Sequence, residues 1–440
     1  MSISSNPSTI LYGLGFNYQS FISEAVAPLQ AELSQYDSFI SGNNTISSAW
    51  TGLTTGMKSL ITATQGIYDP TSSFNVMNST AATSSATGVA TVTTTGTPAA
   101  GTYALSVSQI ALNEIDDGTA QATGALGYSG KPTINGVAIT VTSSMTLSQI
   151  ASAINSAGAG VTASIVNNTL IISANSTDAP ITYSDNKHVL QHLGIVQSNG
   201  TTPANQFQAA QPAKYTIDGV AVTNTTNTDT ASIPGVTINL LSVGNSTITV
   251  STDTSSINSA INAFITAYNA NMTAMMAAAS QTGSLDGNAV LEDAIATAGQ
   301  NLNNTVSGTV NYSSAASIGI TIGTDGQLQF NQTTFDAALA SNPSDVSAIM
   351  QNVSTGLINQ FTTLTQAGGT IQNITNSIAN STSAYQNEAT AIQSEITNEE
   401  KQLQLFYAAL QSQLVQDNTM AGLLSLNQQN ATNTAATPGG

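Results

Sequence analysis

The stretch Phe21–Ile40 reads FISEAVAPLQAELSQYDSFI, and its apolar residues Ile22, Val26, Leu29, Leu33, Tyr36 and Ile40 alternate at spacings of four and three. That is the seam of a helix that buries one stripe and needs a partner helix to cover it. The rhythm restarts with Ile46, Trp50, Leu53, Met57, Leu60, Thr64 and Ile67. Pro28 lies inside the first seam and, lacking an N–H, is expected to kink or restart the helix. Gly42-Asn43-Asn44 marks an expected joint between the two seams. Gly52 and Gly56 have the small-residue spacing that lets helices pack closely.

A second set of seams stands at the other end of the chain. Ala389, Ile392, Ile396, Glu399, Leu403, Phe406 and Leu410 keep a three–four rhythm, and Leu414 continues the stripe. The final NATNTAATPGG reads as a flexible tail. A further apolar face, Ile257, Ile261, Phe264, Tyr268, Met272 and Met275, follows a cap at Asp253 or Ser255. Its methionines suit a packed helix face better than a soft-metal site. The economical solution packs the two terminal helical regions on each other.

Between them, from about residue 77 to 252, the texture changes to alternating Thr, Val and Ser with Gly- and Asn-rich turns, which reads as β. Expected strands are Val89–Thr94, Tyr103–Ser108, Ala138–Thr142, Val161–Val166, Thr169–Ser173 and Thr237–Leu241. One helix interrupts them, with Thr146 as N-cap, Leu147, Ile150 and Ile154 on one face and Gly158 as the stop. The octets TINGVAIT (133–140) and TIDGVAVT (216–223) each place Asn-Gly or Asp-Gly between β-branched residues, the strongest short hairpin signal. Neither copy carries a nucleophile or a metal-ligand cluster, so the repeat is architecture. Asp325-Gly326 turns a later hairpin, and Asn342-Pro343 opens a helix as N-cap and first helical residue.

The expected fold is therefore α+β and multidomain: a coiled-coil-like helical stalk from both chain ends with an inserted pair of β-rich head domains. The expected divisions are terminal legs at 1–42 and 400–440, partly flexible, and a stalk with a β-hairpin at 43–76 and 253–399. One head domain is expected at 77–112 and 205–252, and an inserted head domain with one short helix at 113–204. Trp50, Leu53, Met57, Leu60, Ile261, Phe264 and Tyr268 are assigned to stalk packing.

Only 6% of the 440 residues are charged, and the net charge is −18. The basic residues are Lys58, Lys131, Lys187, Lys214 and Lys401, with no arginine. Binding to nucleic acid or to an anionic membrane requires clustered cations and is disfavoured. The absence of cysteine removes disulfides, thiolate nucleophiles and Cys-ligated zinc. No Sec-type signal opens the chain and no apolar run would span a bilayer, which implies a cytoplasmic protein or one exported by another route. Asp185, His188 and His192 are read as a turn-to-helix surface rather than a metal site. Asp116-Asp117 and Glu399-Glu400 are read as solvated. No catalytic constellation is found, and the chain is not expected to be an enzyme or to hold a cofactor or metal.

The order of segments resembles the flagellar filament-capping proteins, the hook-associated protein 2 family. YGLGFNYQSFISEAVAPLQAEL occupies the place of that family's Gly-rich start and first amphipathic helix. IYDPTSSFNVMNST resembles its exit from the first helical region. PTINGVAITVTSSMTLSQIASAINSAGAGVTASIVNNTLIISAN is similar to the β module shared by flagellar hook-associated proteins. YTIDGVAVTNTTNTDTASIPGVTINLL, IGITIGTDGQLQFNQTTFDAALASNPSDVSAIM and LQLFYAALQSQL follow in family order. The resemblance implies a ring of about five or six copies at the filament tip, as closed symmetric assemblies allow. It further implies contact with flagellin, the flagellar export machinery and an export chaperone. The protein would lie outside the cell after export without a cleaved signal peptide, with no membrane insertion. Assembly contacts are assigned to Ile22, Val26, Leu29, Leu33, Tyr36, Ile40, Ile392, Ile396, Leu403, Phe406, Leu410 and Leu414. A hook–filament junction protein or a surface adhesin with a flagellar-type β module is the alternative.

The uncharged polar surface suits an acidic habitat, where carboxylates neutralise below pH ~3 and the few cations repel little; drifted composition is the other reading. If acid adaptation holds, circular dichroism at pH 7 and near pH ~2.5 shows the same folded spectrum. Unfolding at the lower pH would remove the idea.

Overall fold

A computed structural model describes residues 18–435, with side chains through 432. The Tyr12–Phe16 motif and residues 436–440 lie outside that range. The described chain divides into two compact units, Asn75–Ala260 and the segments before and after it. The first is built of β-strands and short helices, the second mainly of long helices. The fold is thus α+β and multidomain, with helices from both chain ends packed together and β-sheets inserted between them.

In the helical unit, α1 (Tyr18–Gln65) runs without interruption through Pro28 and through Gly42-Asn43-Asn44. The expected restart and joint are therefore not there. Pro28 is exposed, and the stripe on either side of it remains on one face. Loss of one N–H on the solvent side leaves the buried seam intact, so tertiary cover outweighs local propensity. The second seam is deeply buried at Trp50, Leu53, Met57 and Leu60.

Six further helices are α2 (Leu147–Ser156), α3 (Val189–His192), α4 (Thr254–Ala279), α5 (Ala289–Asn303), α6 (Gln332–Ser341) and α7 (Pro343–Thr365). The last, α8, spans Thr370–Ala435, so residues 430–435 are helical rather than a loose tail. Ile261, Phe264, Tyr268, Met272 and Met275 of α4 are buried as one face. The carboxylate of Asp253 accepts from the Ser256 N–H at 3.0 Å and fixes the start of α4. Only one of the paired glycines makes a close approach: a Cβ on Gly56 would lie 2.9 Å from Asn271 Oδ1, whereas Gly52 faces open space.

Ile320–Ile322 and Leu328–Phe330 form the expected hairpin, turned at Gly326 with φ +74°. Asn269 of α4 binds both backbone groups of Leu328, donating to its carbonyl at 3.0 Å and accepting from its N–H at 2.7 Å. Asn342 stands at the N-cap of α7, with Pro343 in the first turn, but its side chain makes no capping bond. It accepts from Asn311 Nδ2 at 2.7 Å instead. The buried carboxylate of Asp345 collects the N–H groups of Val310, Asn311 and Tyr312. Those donors hold its pKa below the ordinary value against the opposing effect of desolvation.

The β unit holds two cores. In one, an antiparallel sheet runs in spatial order Val220–Asn224, Ala213–Ile217, Gly101–Gln109, Gly244–Thr252, Thr80–Ser84. A second sheet, Thr228–Asp229, Val236–Leu240, Ala90–Thr94, shares with it a core that includes Leu105, Tyr215, Ile238 and Ile248. The other core gathers Ile134, Ile150, Ile154, Leu170 and Ile172 under the sheet Gln206–Gln208, Ile115–Ala120, Thr169–Ala174, Val161–Val166. Helix α2 starts on the expected Thr146, whose side chain and that of Gln149 close a reciprocal capping box.

The twin octets are twin hairpins. Asn135 and Gly136 take φ +49° and +77°, and Asp218 and Gly219 take φ +50° and +82°, the left-handed pair that a tight hairpin needs. Each turn also staples itself to other backbone. Asn135 donates to the Ala159 carbonyl at 2.9 Å and accepts from the Thr182 N–H at 2.9 Å. Asp218 accepts from the Ala104 N–H at 2.7 Å.

Two readings are corrected in this unit. The strand expected over Ala138–Thr142 is confined to Val137–Ala138, with a bridge from Val141 to Gly130. Ile139 donates to the carbonyl of Pro132, which has no N–H to return, so the ladder breaks there. Asp116 of the Asp116-Asp117 pair is not solvated: it is fully buried in Ile115–Ala120 and accepts the Tyr183 hydroxyl at 2.6 Å. That strand was not expected, because two acids and a glycine hid it.

Replacing Asn135 by Gly keeps the left-handed turn and removes three side-chain bonds, to the Ala159 carbonyl and to the N–H and hydroxyl of Thr182, an expected loss of about 1–2 kcal/mol in urea unfolding. Asn135→Ala adds a left-handed strain of about 1–2 kcal/mol and is the weaker of the two. Equal stabilities would contradict this account of the turn.

Candidate functional site: the terminal helix seam

α1 and α8 pack antiparallel. Tyr18 meets Tyr407 with ring centroids 5.8 Å apart, and Phe21 meets the same ring at 6.5 Å. Farther along, Val26 packs with Ile392 and Ile396. Tyr36 and Phe39 then meet Tyr385 at 6.0 and 5.2 Å, and Asn43 Nδ2 donates to Thr382 Oγ1 at 3.1 Å. Rising numbers on α1 thus meet falling numbers on α8. The seam mixes aliphatic contacts with tyrosine rings and one amide–hydroxyl bond. Aromatic pairs at these distances contribute about 0.5–1.5 kcal/mol beyond their buried area.

The assigned assembly residues fall into three groups. Ile22, Val26, Ile392 and Ile396 are buried. Leu29, Leu33 and Tyr36 are half-buried against Val26, Ile392 and Ile396; Leu403 is half-buried against Tyr18 and Ile22, and Ile40 is also half-buried. Phe406, Leu410 and Leu414 are exposed, Phe406 at 62%. The three–four rhythm expected through Glu399, Phe406 and Leu410 therefore changes beyond Ile396. The covered face passes instead through Glu400, Leu403 and Tyr407 to Gln411. Spacings of four, three and four repeat every eleven residues and match a nearly straight helix, whereas a strict seven-residue rhythm needs supercoiling. Tyr407 is the seam residue that the periodicity missed; its neighbour Phe406 drew the assignment because it continues the three–four rhythm.

From Leu405 onward, α8 carries a second apolar set that the seam does not use. Leu405, Phe406, Leu410, Leu414, Val415, Met420, Leu423, Leu424 and Leu426 are all exposed. Isolated exposed apolar residues are ordinary; nine along one helix are not. The stalk residues Trp50, Leu53, Met57, Leu60, Ile261, Phe264 and Tyr268 are all buried in the helical unit.

The possible metal ligands are not assembled. Asp185 is buried and caps α3, accepting the N–H groups of Val189 and Gln191 at 2.9 Å. His192 stacks on Tyr128 with centroids 5.0 Å apart, and His188 pairs with Gln191. Among the described residues no group of three His, Cys, Asp or Glu is placed to hold a metal ion. No described helix is long and apolar enough to cross a membrane.

Tyr407→Ala is expected to speed amide exchange about tenfold over residues 18–26, the equivalent of losing roughly 1.4 kcal/mol of local packing. Phe406→Ala should leave exchange there unchanged. The opposite ranking would return the seam to Phe406.

The family model for the flagellar hook-associated protein 2 C-terminus matches residues 210–419, and that for its N-terminus matches residues 14–114. The flagellin hook IN motif matches residues 125–176. The D1-D2-D3 domains of the flagellar cap protein FliD from Escherichia coli are 28% identical, with a TM-score of 0.59. That match covers 75% of this chain and 99% of that one. The D2-D3 domains of the same protein are 31% identical over 40% of this chain and 100% of theirs, with a TM-score of 0.36. FliD (HAP2) from Pseudomonas aeruginosa PAO1 is 27% identical over 41% of this chain and 93% of its own, with a TM-score of 0.35. No curated protein matches the chain. Both terminal models flank the hook module in order across the paired helices and the β unit, and the chain belongs to the flagellar hook-associated protein 2 family.

Proposed function

We propose that this protein is a structural cap at the distal tip of the bacterial flagellar filament. There it guides the insertion and folding of exported flagellin and prevents its loss. The observation that carries this reading is the conjunction of family membership with a terminal helix pair whose far end exposes an apolar face. The seam from Ile22 to Ile40, with Ile392, Ile396 and Leu403, holds each subunit's own helix pair together. Phe406, Leu410 and Leu414 are left to engage neighbours: other copies in a ring of about five or six, and flagellin beneath it. The partners are thus further copies of itself and flagellin, reached through the flagellar export machinery with an export chaperone. The protein works outside the cell, at the filament tip, after export without a cleaved signal peptide.

The working divisions follow from this role. Terminal legs at 1–42 and 400–440 engage the filament, and the helix-rich stalk at 43–76 and 253–399 supports them. The head divisions are 77–112 with 205–252 and 113–204. Guidance of this kind is steric and needs no reacting group: a leg occupies a filament position until an arriving subunit takes it.

Immunogold electron microscopy with an antibody to residues 113–204 is expected to label the distal tips of intact filaments. Label at the hook junction would make it a junction protein. Label over the cell body with bare tips would favour an adhesin. The paired substitution L410D and L414D alters only exposed positions and should leave the circular dichroism spectrum unchanged. It is expected to abolish swimming and to release flagellin into the medium, because burying two carboxylates in an apolar contact is strongly unfavourable. Normal filaments in that variant would remove the assembly role of this face.

A further inference from the structure

Val161–Val166 is the last strand of its sheet: it pairs with Thr169–Ala174 on one side, and its other side faces no strand. Asn167 and Asn168 join the two strands at φ +48° and +59°, the left-handed pair of a tight hairpin, which fixes the residues that stand opposite. An open edge offers its N–H and C=O groups to any strand that arrives, and proteins commonly discourage this with lysine, other charges or proline. Val161–Val166 contains none of these, and from Pro132 to Thr177 the chain has no charged residue at all. Ile165 and Val166 add apolar surface to the edge, 38% and 59% exposed.

Asn155, in the last turn of α2, occupies the middle of that edge. Its Nδ2 donates to the Ala163 carbonyl at 2.8 Å, and its Oδ1 accepts from the Ala163 N–H at 2.7 Å. One side-chain amide thus presents the donor and the acceptor that a neighbouring strand would present. Because both groups of Ala163 turn to Asn155, the Ala163–Ile172 pair is one that exchanges no ladder bonds. Alternation then turns the groups of Val161 and Ile165 to the same open side. The same two-bond grip joins Asn227 to Ala111, at 2.8 and 2.7 Å, and Asn269 to Leu328. Asn155 is itself exposed, so water competes with its two bonds.

We propose that the free edge of Val161–Val166 is a pairing surface for the same strand of a second copy of this chain, and that Asn155 holds it shut. Two such edges are self-complementary when antiparallel, since a twofold axis brings each donor of one to an acceptor of the other. No like charges oppose one another across that contact, and Ile165 and Val166 gain cover in it. None of these residues belongs to the terminal helix seam, and the pairing does not depend on the role proposed for that seam.

Hydrogen exchange of the full-length protein, read by mass spectrometry over residues 161–166 in dilute and in concentrated solution, tests the edge. In the wild type, exchange there should be the same at both concentrations. In Asn155→Ala, dilute protein is expected to exchange about tenfold faster because two hydrogen bonds are lost, and raising the concentration should restore the protection. Adding Ser164→Lys to that variant should keep exchange fast at every concentration, since like charges would then meet across the contact. Should Asn155→Ala fail to fold by circular dichroism, Asn155→Ser takes its place, being uncharged and too short to make both bonds. Any of four results would overturn the proposal: wild-type protection that already rises with concentration, exchange in a folded variant equal to the wild type, fast exchange that concentration does not slow, or a recovery that persists with Ser164→Lys.

Discussion

A helix with one apolar stripe is not stable alone in water, and α1 carries such a stripe along nearly its whole length. At about 1.5 Å per residue its 48 residues reach roughly 70 Å. The cover comes from α8, more than 300 residues later in the chain, and from α7, while Asn271 of α4 lies against Gly56. Everything between must leave one end of this pair and return to it. The β unit is therefore an insertion by topology, its entrance near Asn75 and its exit into α4.

With 23 acidic residues and five basic ones, carboxylates cannot rely on ion pairs. The buried ones are served by hydroxyl and N–H donors, and the number of donors decides their state. Asp345 takes three backbone N–H groups, and Asp229 takes the Tyr215 hydroxyl with the N–H groups of Ala231 and Ser232. In Asp229 burial opposes ionisation, but the Ser232, Tyr215 and Ala231 donors outweigh it and the pKa is lowered. Asp116 also accepts a tyrosine hydroxyl, that of Tyr183, but burial outweighs it and its pKa rises. Uncharged amides do comparable work elsewhere: Asn135, Asn269 and Gln208 each bind backbone across long separations in sequence.

Local chemistry was legible where it is self-contained. Asn-Gly and Asp-Gly read as hairpins because left-handed turns demand those residues, and Thr146 read as a helix start because an N-cap acts within one turn. The stripes of α1 and α4 were legible because periodicity is a property of a single segment. Strands such as Ile115–Ala120 were not, since an Asp-Asp-Gly run becomes a strand only when Tyr183 and neighbouring strands satisfy it.

The sequence by itself determined the order helix, β, helix, the twin turns and the existence of seams at both ends of the chain. The tertiary structure decided which residues fill those seams. Pro28 is tolerated because its missing N–H faces solvent while the opposite face is covered. Tyr407 rather than Phe406 enters the seam because a nearly straight helix drifts from a seven-residue rhythm, and only the position of Tyr18 and Phe21 fixes which side is covered. Asp116 became a buried acid for the same kind of reason. Burial belongs to the neighbours a residue acquires in space, and those neighbours come from distant parts of the chain.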